Sequence, residues 1–164
     1  MRTVKTSVIT LIALIAAVFA ICYGFLRSEG LSARKKPSNF EYAIANGALA
    51  LSIPTAAKEA KNPMRPAPGA LTEARKFYSD NCAVCHANDG TGKTNTAKGL
   101  SPEVPDLRAA HVQKLTDGEM FYIIKNGVRF TGMPGWDLSD GHSWQLVLLI
   151  RQFANENTSP QQEK

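Results

Sequence analysis

An all-α fold preceded by one transmembrane helix is the architecture predicted by this sequence of 164 residues, on three observations. An uncharged apolar run near the N-terminus is long enough to cross a bilayer. The remainder carries helical-period apolar patterns opened by capping boxes, and no run alternates as a strand. The connections over 87–115 and 127–137 are rich in Gly, Pro, Asp and Asn. They are long for so small a domain, which implies that something besides protein fills its core.

The apolar run spans Thr6 to Leu26 without a charged side chain and is dominated by residues such as Val8, Leu11, Ile15, Phe19 and Phe25. As a helix it is roughly 30 Å long, the thickness of a hydrocarbon core. Arg2 and Lys5 precede it, and Arg27, Arg34, Lys35 and Lys36 follow it. A cleaved signal peptide is the alternative, with Val8 to Ala20 as its apolar region and Val18-Phe19-Ala20 as a cleavage site. The continuation of the run past Ala20 favours an uncleaved anchor. Cys22, alone inside the run, reads as inert packing.

Four segments are expected: 1–26 as anchor or signal segment, 27–69 as tether, 70–157 as the folded domain, and 158–164 as a polar tail. In the tether, Ser38 and Glu41 have capping-box spacing, and Phe40, Ile44, Ala48 and Leu51 share one helical face. A short amphipathic helix is predicted there, weakened by Gly47 and ended by Pro54, and it either covers its own domain, docks on a partner or lies at the membrane. Pro54, Pro63, Pro66 and Pro68 then read as a stiff linker. In the domain, a helix is expected from Leu71 to Asn81 with Thr72 as N-cap and Ala74, Phe77, Tyr78 and Cys82 on one face. A second starts at Thr116 with Glu119 completing a capping box and stops at Asn126-Gly127. A third begins near Leu138-Ser139-Asp140, carries Trp144, Val147, Leu148, Ile150, Arg151 and Phe153, and ends by Asn155.

Composition narrows the function classes. Hydrophobic residues make up 44% and charged residues 20%, which fits one compact domain plus an accessory segment and excludes a large multidomain enzyme. The net charge is +5, but the excess lies in front: residues 1–69 hold nine bases and three acids, and residues 70–164 hold ten bases and eleven acids. A nucleic-acid-binding domain would carry the positive charge on the folded unit, so no nucleic-acid partner is expected. Three cysteines, one of them in the anchor, do not make a disulfide scaffold.

Cys82-Ala83-Val84-Cys85-His86 is C-x-x-C-H, the attachment signature of c-type haem. Two thiols separated by two residues reach the two vinyl groups on one porphyrin edge and form thioethers, and the adjacent His86 is then held against the iron. A thioredoxin-like C-x-x-C needs a βαβ context, which is missing. A zinc site needs a fourth ligand and usually a second cysteine pair, and beyond residue 86 only His111 and His142 are available. Gly90-Thr91-Gly92-Lys93-Thr94 has the look of a P-loop end, but the pattern requires glycine where Ala87 stands, and a preceding strand.

With Phe77-Tyr78, Pro105-Asp106-Leu107, Thr131-Gly132-Met133-Pro134-Gly135-Trp136 and the final helix bearing Trp144-Gln145-Leu146-Val147, the chain over about 70–155 resembles class I cytochrome c. This family comprises small monohaem carriers and the haem-c domains of respiratory oxidases and dehydrogenases. The resemblance implies a class I cytochrome c fold with the first and last helices crossing near Ala74 and one covalently bound haem c whose edge reaches the surface. It implies His86 as proximal iron ligand, Met133 as distal ligand, and the Pro105 carbonyl as partner of the other His86 ring nitrogen. The loop from Ala87 to Val104 departs from the family, and the resemblance leaves its packing open.

The methionine assignment has its own physical argument. Met1 and Met64 lie outside the domain, and Met120 in an amphipathic helix is most simply core. Met133 stands in Gly-Met-Pro, where Gly132 permits an unusual backbone and Pro134 restricts it. His111 and His142 are the alternative ligands and read as surface or loop histidines. With both axial positions occupied there is no vacancy for substrate, so the resemblance implies a one-electron carrier rather than an enzyme. Its partners would be redox proteins or a larger respiratory or dehydrogenase complex. The alternative is a haem enzyme or a sensor of gas or peroxide with a labile distal methionine. Haem attachment outside the cytoplasm implies a domain on the periplasmic side of the bacterial cytoplasmic membrane, or a periplasmic protein after signal cleavage. The bases following the span favour the opposite topology, a modest bias that translocated domains override.

Overall fold

The computed structural model describes residues 2–29, 32–33, 35–66 and 68–156. Arg34 and the polar tail expected over 158–164 lie outside the described residues. The chain divides into two units, Met1–Lys35 and Lys36–Lys164. The described residues form helices and connecting segments, with no strand among them.

The first unit is helix α1, Arg2–Glu29. Its stretch Lys5–Ser28 has a mean hydropathy of 2.6 and is long and apolar enough to cross a membrane. Thr10 donates its hydroxyl to the Thr6 carbonyl at 2.9 Å, which satisfies a polar group within the helix itself.

The second unit begins with α2, Asn39–Ser52, closed by the expected capping box. The Ser38 amide donates to Glu41 Oε2 at 2.7 Å, and the Glu41 amide donates to Ser38 Oγ at 3.3 Å. The Ser38 amide first, and the Ser38 hydroxyl second, hold the Glu41 carboxyl below the usual range. The expectation that this helix covers its own domain is not met: none of its residues is buried, and Phe40, Ile44 and Leu51 are exposed. Ile53, just past the helix, is the buried residue of this stretch, and Pro54 after it caps the next helix.

The stretch expected as a linker packs on the domain instead. It contains a short helix α3, Thr55–Glu59, which lies against α7, Asp117–Asn126. Thr116 Oγ1 donates to the Lys58 carbonyl at 2.9 Å, and Asn62 Nδ2 donates to the Trp144 carbonyl at 3.0 Å. Met64 packs on the core rather than lying outside it. Gly118 is the enabling residue on α7, because a Cβ there would overlap the Ala57 carbonyl. Proline stiffness is compatible with this docking, since an extended segment keeps its carbonyls free to accept bonds.

Helix α4, Pro68–Asn81, starts three residues before the expected Leu71, so Thr72 sits inside it rather than capping it. After a single turn, α5, Ala83–His86, the chain runs through a 3-10 turn at Ala97–Gly99 and a short α6, Ala110–Gln113. Helix α7 has the expected Thr116/Glu119 capping box and the Gly127 stop, and α8 runs Asp140–Glu156. The core lies where α4 packs on α8 and α8 on α7. Ala74 provides the small residue on α4, and Val147, Leu149 and Phe153 of α8 are fully buried, each contributing about 1.5–3 kcal/mol. Tyr78 meets Phe153 edge-on at 5.1 Å, and Phe121 stacks on Trp144 at 4.1 Å.

Candidate functional site

The C-terminal turn of α4 delivers Cys82, whose amide donates to the Tyr78 carbonyl at 2.8 Å. The amides of Cys85 and His86 both donate to the Cys82 carbonyl, at 3.1 and 2.9 Å, which winds the motif into one tight turn. Ala87 then takes φ +60, uncommon for a residue with a Cβ. Its carbonyl accepts from the Tyr78 hydroxyl at 2.9 Å.

The loop after Ala87, whose packing the resemblance left open, braces this turn. The Gly92 amide donates to the His86 carbonyl at 2.9 Å, and Thr94 Oγ1 donates to the Cys85 carbonyl at 3.3 Å. The Leu107 amide donates to the Gly90 carbonyl at 2.8 Å. Gly92 has φ +69, and a Cβ on it would stand 3.2 Å from the Pro105 carbonyl oxygen. The loop thereby joins the C-x-x-C-H turn to Pro105. Farther along, Leu100 lies on Gly132, where a Cβ would come within 2.7 Å of its Cδ2.

One cavity of about 130 Å³ gathers the expected residues. Cys82, His86, Pro105 and Met133 all line it, and its remaining walls are almost wholly apolar, including Leu107, Ile124, Leu146 and Ile150. Cys85 is half-buried one turn from Cys82 and is not among the lining residues. Met120 belongs to the buried core, as its helical pattern implies, and it also lines the same cavity, which that pattern did not reveal. Tyr78, expected on the inner face of its helix, and Trp136, noted only as part of a motif, line it as well. His111 is exposed, and His142 has a half-exposed side chain 3.9 Å from Glu73; neither lines the cavity.

The electrostatics follow from burial. Desolvation pushes the His86 pKa below the usual imidazole value, and the Pro105 carbonyl opposes this as the smaller effect. Nδ1 of His86 is buried and forms no hydrogen bond of regular geometry, so the Pro105 carbonyl is close enough to act on the ring without fully satisfying it. Burial thus favours the neutral imidazole, the form with a lone pair to offer. Burial first, and Cys85 beside it second, push the Cys82 thiol up to about 11. All three cysteines are free. Among the described residues, no group of three or more His, Cys, Asp or Glu side chains comes together as a possible metal cage.

These residues fit a haem c. An apolar slot, two free thiols one turn apart, a neutral histidine with an orphaned nitrogen beside a carbonyl, and a thioether on a separate loop are the donor set that such a group requires.

Residues 69–150 match the family model described as cytochrome C oxidase, cbb3-type, subunit III. No curated protein matches the chain. Among solved structures, a chain of the Kuenenia stuttgartiensis reducing HAO-like protein complex is similar, with 20% sequence identity and a TM-score of 0.51. The likeness covers 56% of this chain and 46% of that one, less than half its length, and at this identity it is a likeness of fold.

Proposed function

The chain belongs to the cytochrome c oxidase, cbb3-type, subunit III family and is an electron-transfer haem protein; from that premise we propose that it is a membrane-tethered carrier holding one haem c with His86 and Met133 as axial ligands. The observation that carries the reading is that Cys82, His86, Pro105 and Met133, spread over 52 positions of sequence, line one apolar cavity.

Haem c, when bound, supplies an iron centre that accepts and returns one electron. Cys82 and Cys85 provide the thiols that become thioethers, and their spacing of one turn sets the edge they hold. His86, whose neutral form burial favours, would offer one ring nitrogen to the iron, and the Pro105 carbonyl, the group acting on the ring, would take a bond from the other and fix the tautomer. Met133 offers a thioether, which favours the ferrous state and raises the potential relative to two histidines. Leu107, Ile124, Leu146 and Ile150 exclude water from the pocket. With His86 and Met133 both holding the haem, no position would be left for a substrate, so the chain would carry electrons rather than transform one.

Helix α1 acts as an uncleaved anchor, and the folded unit lies on the periplasmic side of a bacterial cytoplasmic membrane. The tether raises the effective concentration of the haem domain near membrane-bound redox partners. Protease added to intact spheroplasts is expected to remove the haem domain, and protection of that domain would refute this side. For the ligand set, the full chain matured with haem is compared with Met133→Ala and Met120→Ala variants. Loss of the ferric near-infrared sulfur–iron band in Met133→Ala alone supports the assignment, and loss in Met120→Ala alone reassigns the ligand to α7.

A further inference from the structure

The backbone around Met133 is built against the end of α7. Gly127, the C-cap of α7, has φ +66, and a Cβ on it would lie 2.6 Å from the Met133 carbonyl oxygen and 2.5 Å from the Pro134 carbonyl carbon. Gly135 reciprocates: its Cβ would lie 2.8 Å from the Lys125 carbonyl oxygen and 2.9 Å from the Asn126 carbonyl. Main chain thus lies directly on main chain, with a glycine on each side where any side chain would force the two segments apart.

Hydrogen bonds close the same seam. The Val128 amide donates to the Met133 carbonyl at 3.1 Å, and the Trp136 amide donates to the Lys125 carbonyl at 3.1 Å. The Met133 amide donates to Thr131 Oγ1 at 3.1 Å, and that hydroxyl in turn donates to the Val128 carbonyl at 2.8 Å. Both backbone polar groups of Met133 are therefore satisfied within the seam, although the residue lies in a loop.

We infer that the C-terminal turn of α7 is the template that presents the Met133 side chain, with Gly127, Gly135 and Thr131 as its positioning residues. This rests on Met133 being the distal ligand. A loop methionine held only by its bond to iron would detach readily. Here the loop is set before ligation, so forming the sulfur bond costs little ordering, and detachment requires the seam to open. The device places control of ligand lability in three residues that do not line the pocket.

The test uses the full chain matured with haem, as Gly127→Ala, Gly135→Ala, Thr131→Ala and Thr131→Ser variants beside Met133→Ala. The readouts are the ferric sulfur–iron band, the pH at which that band is lost, and carbon monoxide uptake by the ferrous form. Either alanine in place of glycine is expected to abolish most of the sulfur band and to turn slow, substoichiometric carbon monoxide uptake into full uptake. Thr131→Ala, removing one hydrogen-bonded hydroxyl, is expected to raise the detached fraction about fivefold and lower the pH of band loss, with Thr131→Ser restoring both. If a glycine variant does not fold, the threonine pair decides alone. A band and an uptake unchanged in all positioning variants, while Met133→Ala loses the band, would overturn the template. So would lowered unfolding stability with intact ligation, because it would make the seam merely structural. An unchanged band in Met133→Ala would overturn the ligand assignment itself.

Discussion

Arg151 of α8 holds the first turn of α7 through Asp117, with Nη2 and Nε lying 2.8 and 3.0 Å from the same Oδ1. The guanidinium also donates to the Gln113 carbonyl at 2.7 Å and to the Leu115 carbonyl at 2.6 Å. Gln113 itself donates through Nε2 to the Leu107 carbonyl at 2.6 Å and to the Ile150 carbonyl at 3.2 Å. One partly buried side chain thus ties α6, α7 and α8 together beneath the cavity wall.

Replacing Arg151 by alanine is therefore expected to lower unfolding stability by about 2–3 kcal/mol, because several carbonyls and one carboxylate lose a charged donor in a partly buried place. Arg151→Lys should recover less than half, since an ammonium cannot span acceptors that a planar fork reaches. Denaturant titration of the haem-loaded protein measures both.

Gly118→Ala should release the strap formed by α3 and the residues after it. The new methyl would overlap the Ala57 carbonyl, a contact that only backbone movement relieves. Overpacking of this kind costs about 1–3 kcal/mol. Limited proteolysis should then cut between Pro54 and Pro66 faster than in the parent chain, and an unchanged rate would contradict the docking of this segment.

Phe130 has φ +62 and is 92% exposed, a strained conformation without a packing return. Phe130→Gly is expected to leave the sulfur ligation intact and to raise stability by up to about 1 kcal/mol. A lower melting temperature would show that the phenyl ring is held by a contact.

Acid should loosen the Pro105 turn in a defined window. The side-chain bond from Arg108, with Nη2 2.9 Å from Oδ2, is the largest of the causes that hold the Asp106 carboxyl below the usual range. A depressed carboxylate pKa means that the stabilisation is complete above the unfolded value of about 3.9 and is lost as pH falls through the folded one. The pair is partly exposed, so its worth is under about 1 kcal/mol. Asp106→Asn should lower stability at pH 7 and flatten its acid dependence below pH 4, measured by denaturant titration across that range.

Much of this was legible in residue spacing. Ser38 with Glu41 and Thr116 with Glu119 form the capping boxes that their spacing implied, because a box is a local arrangement needing four residues. The stop at Asn126-Gly127 follows from glycine's freedom at positive φ. Cys82, Cys85 and His86 stand out for a similar reason: the signature they form occupies adjacent positions. What remained hidden depends on contacts between distant segments. Nothing local reveals that Ala57 lies on Gly118, that Leu100 covers Gly132, or that Met120 shares a cavity with Met133. Prolines at 54, 63 and 66 describe a stiff segment equally well whether it docks or spans. Likewise, the exposed apolar face of α2 carries the same periodicity as one that is covered.

The most direct measurement is an optical titration, extended into the near infrared, of the full chain produced in a host that matures c-type haem. The expected result is colour that stays with the denatured polypeptide at one haem per chain, a sulfur–iron band in the ferric form, and reversible reduction by a single electron. Colourless protein, or ferric protein without the sulfur band whose reduced form takes up carbon monoxide at full stoichiometry, would contradict a carrier closed by His86 and Met133.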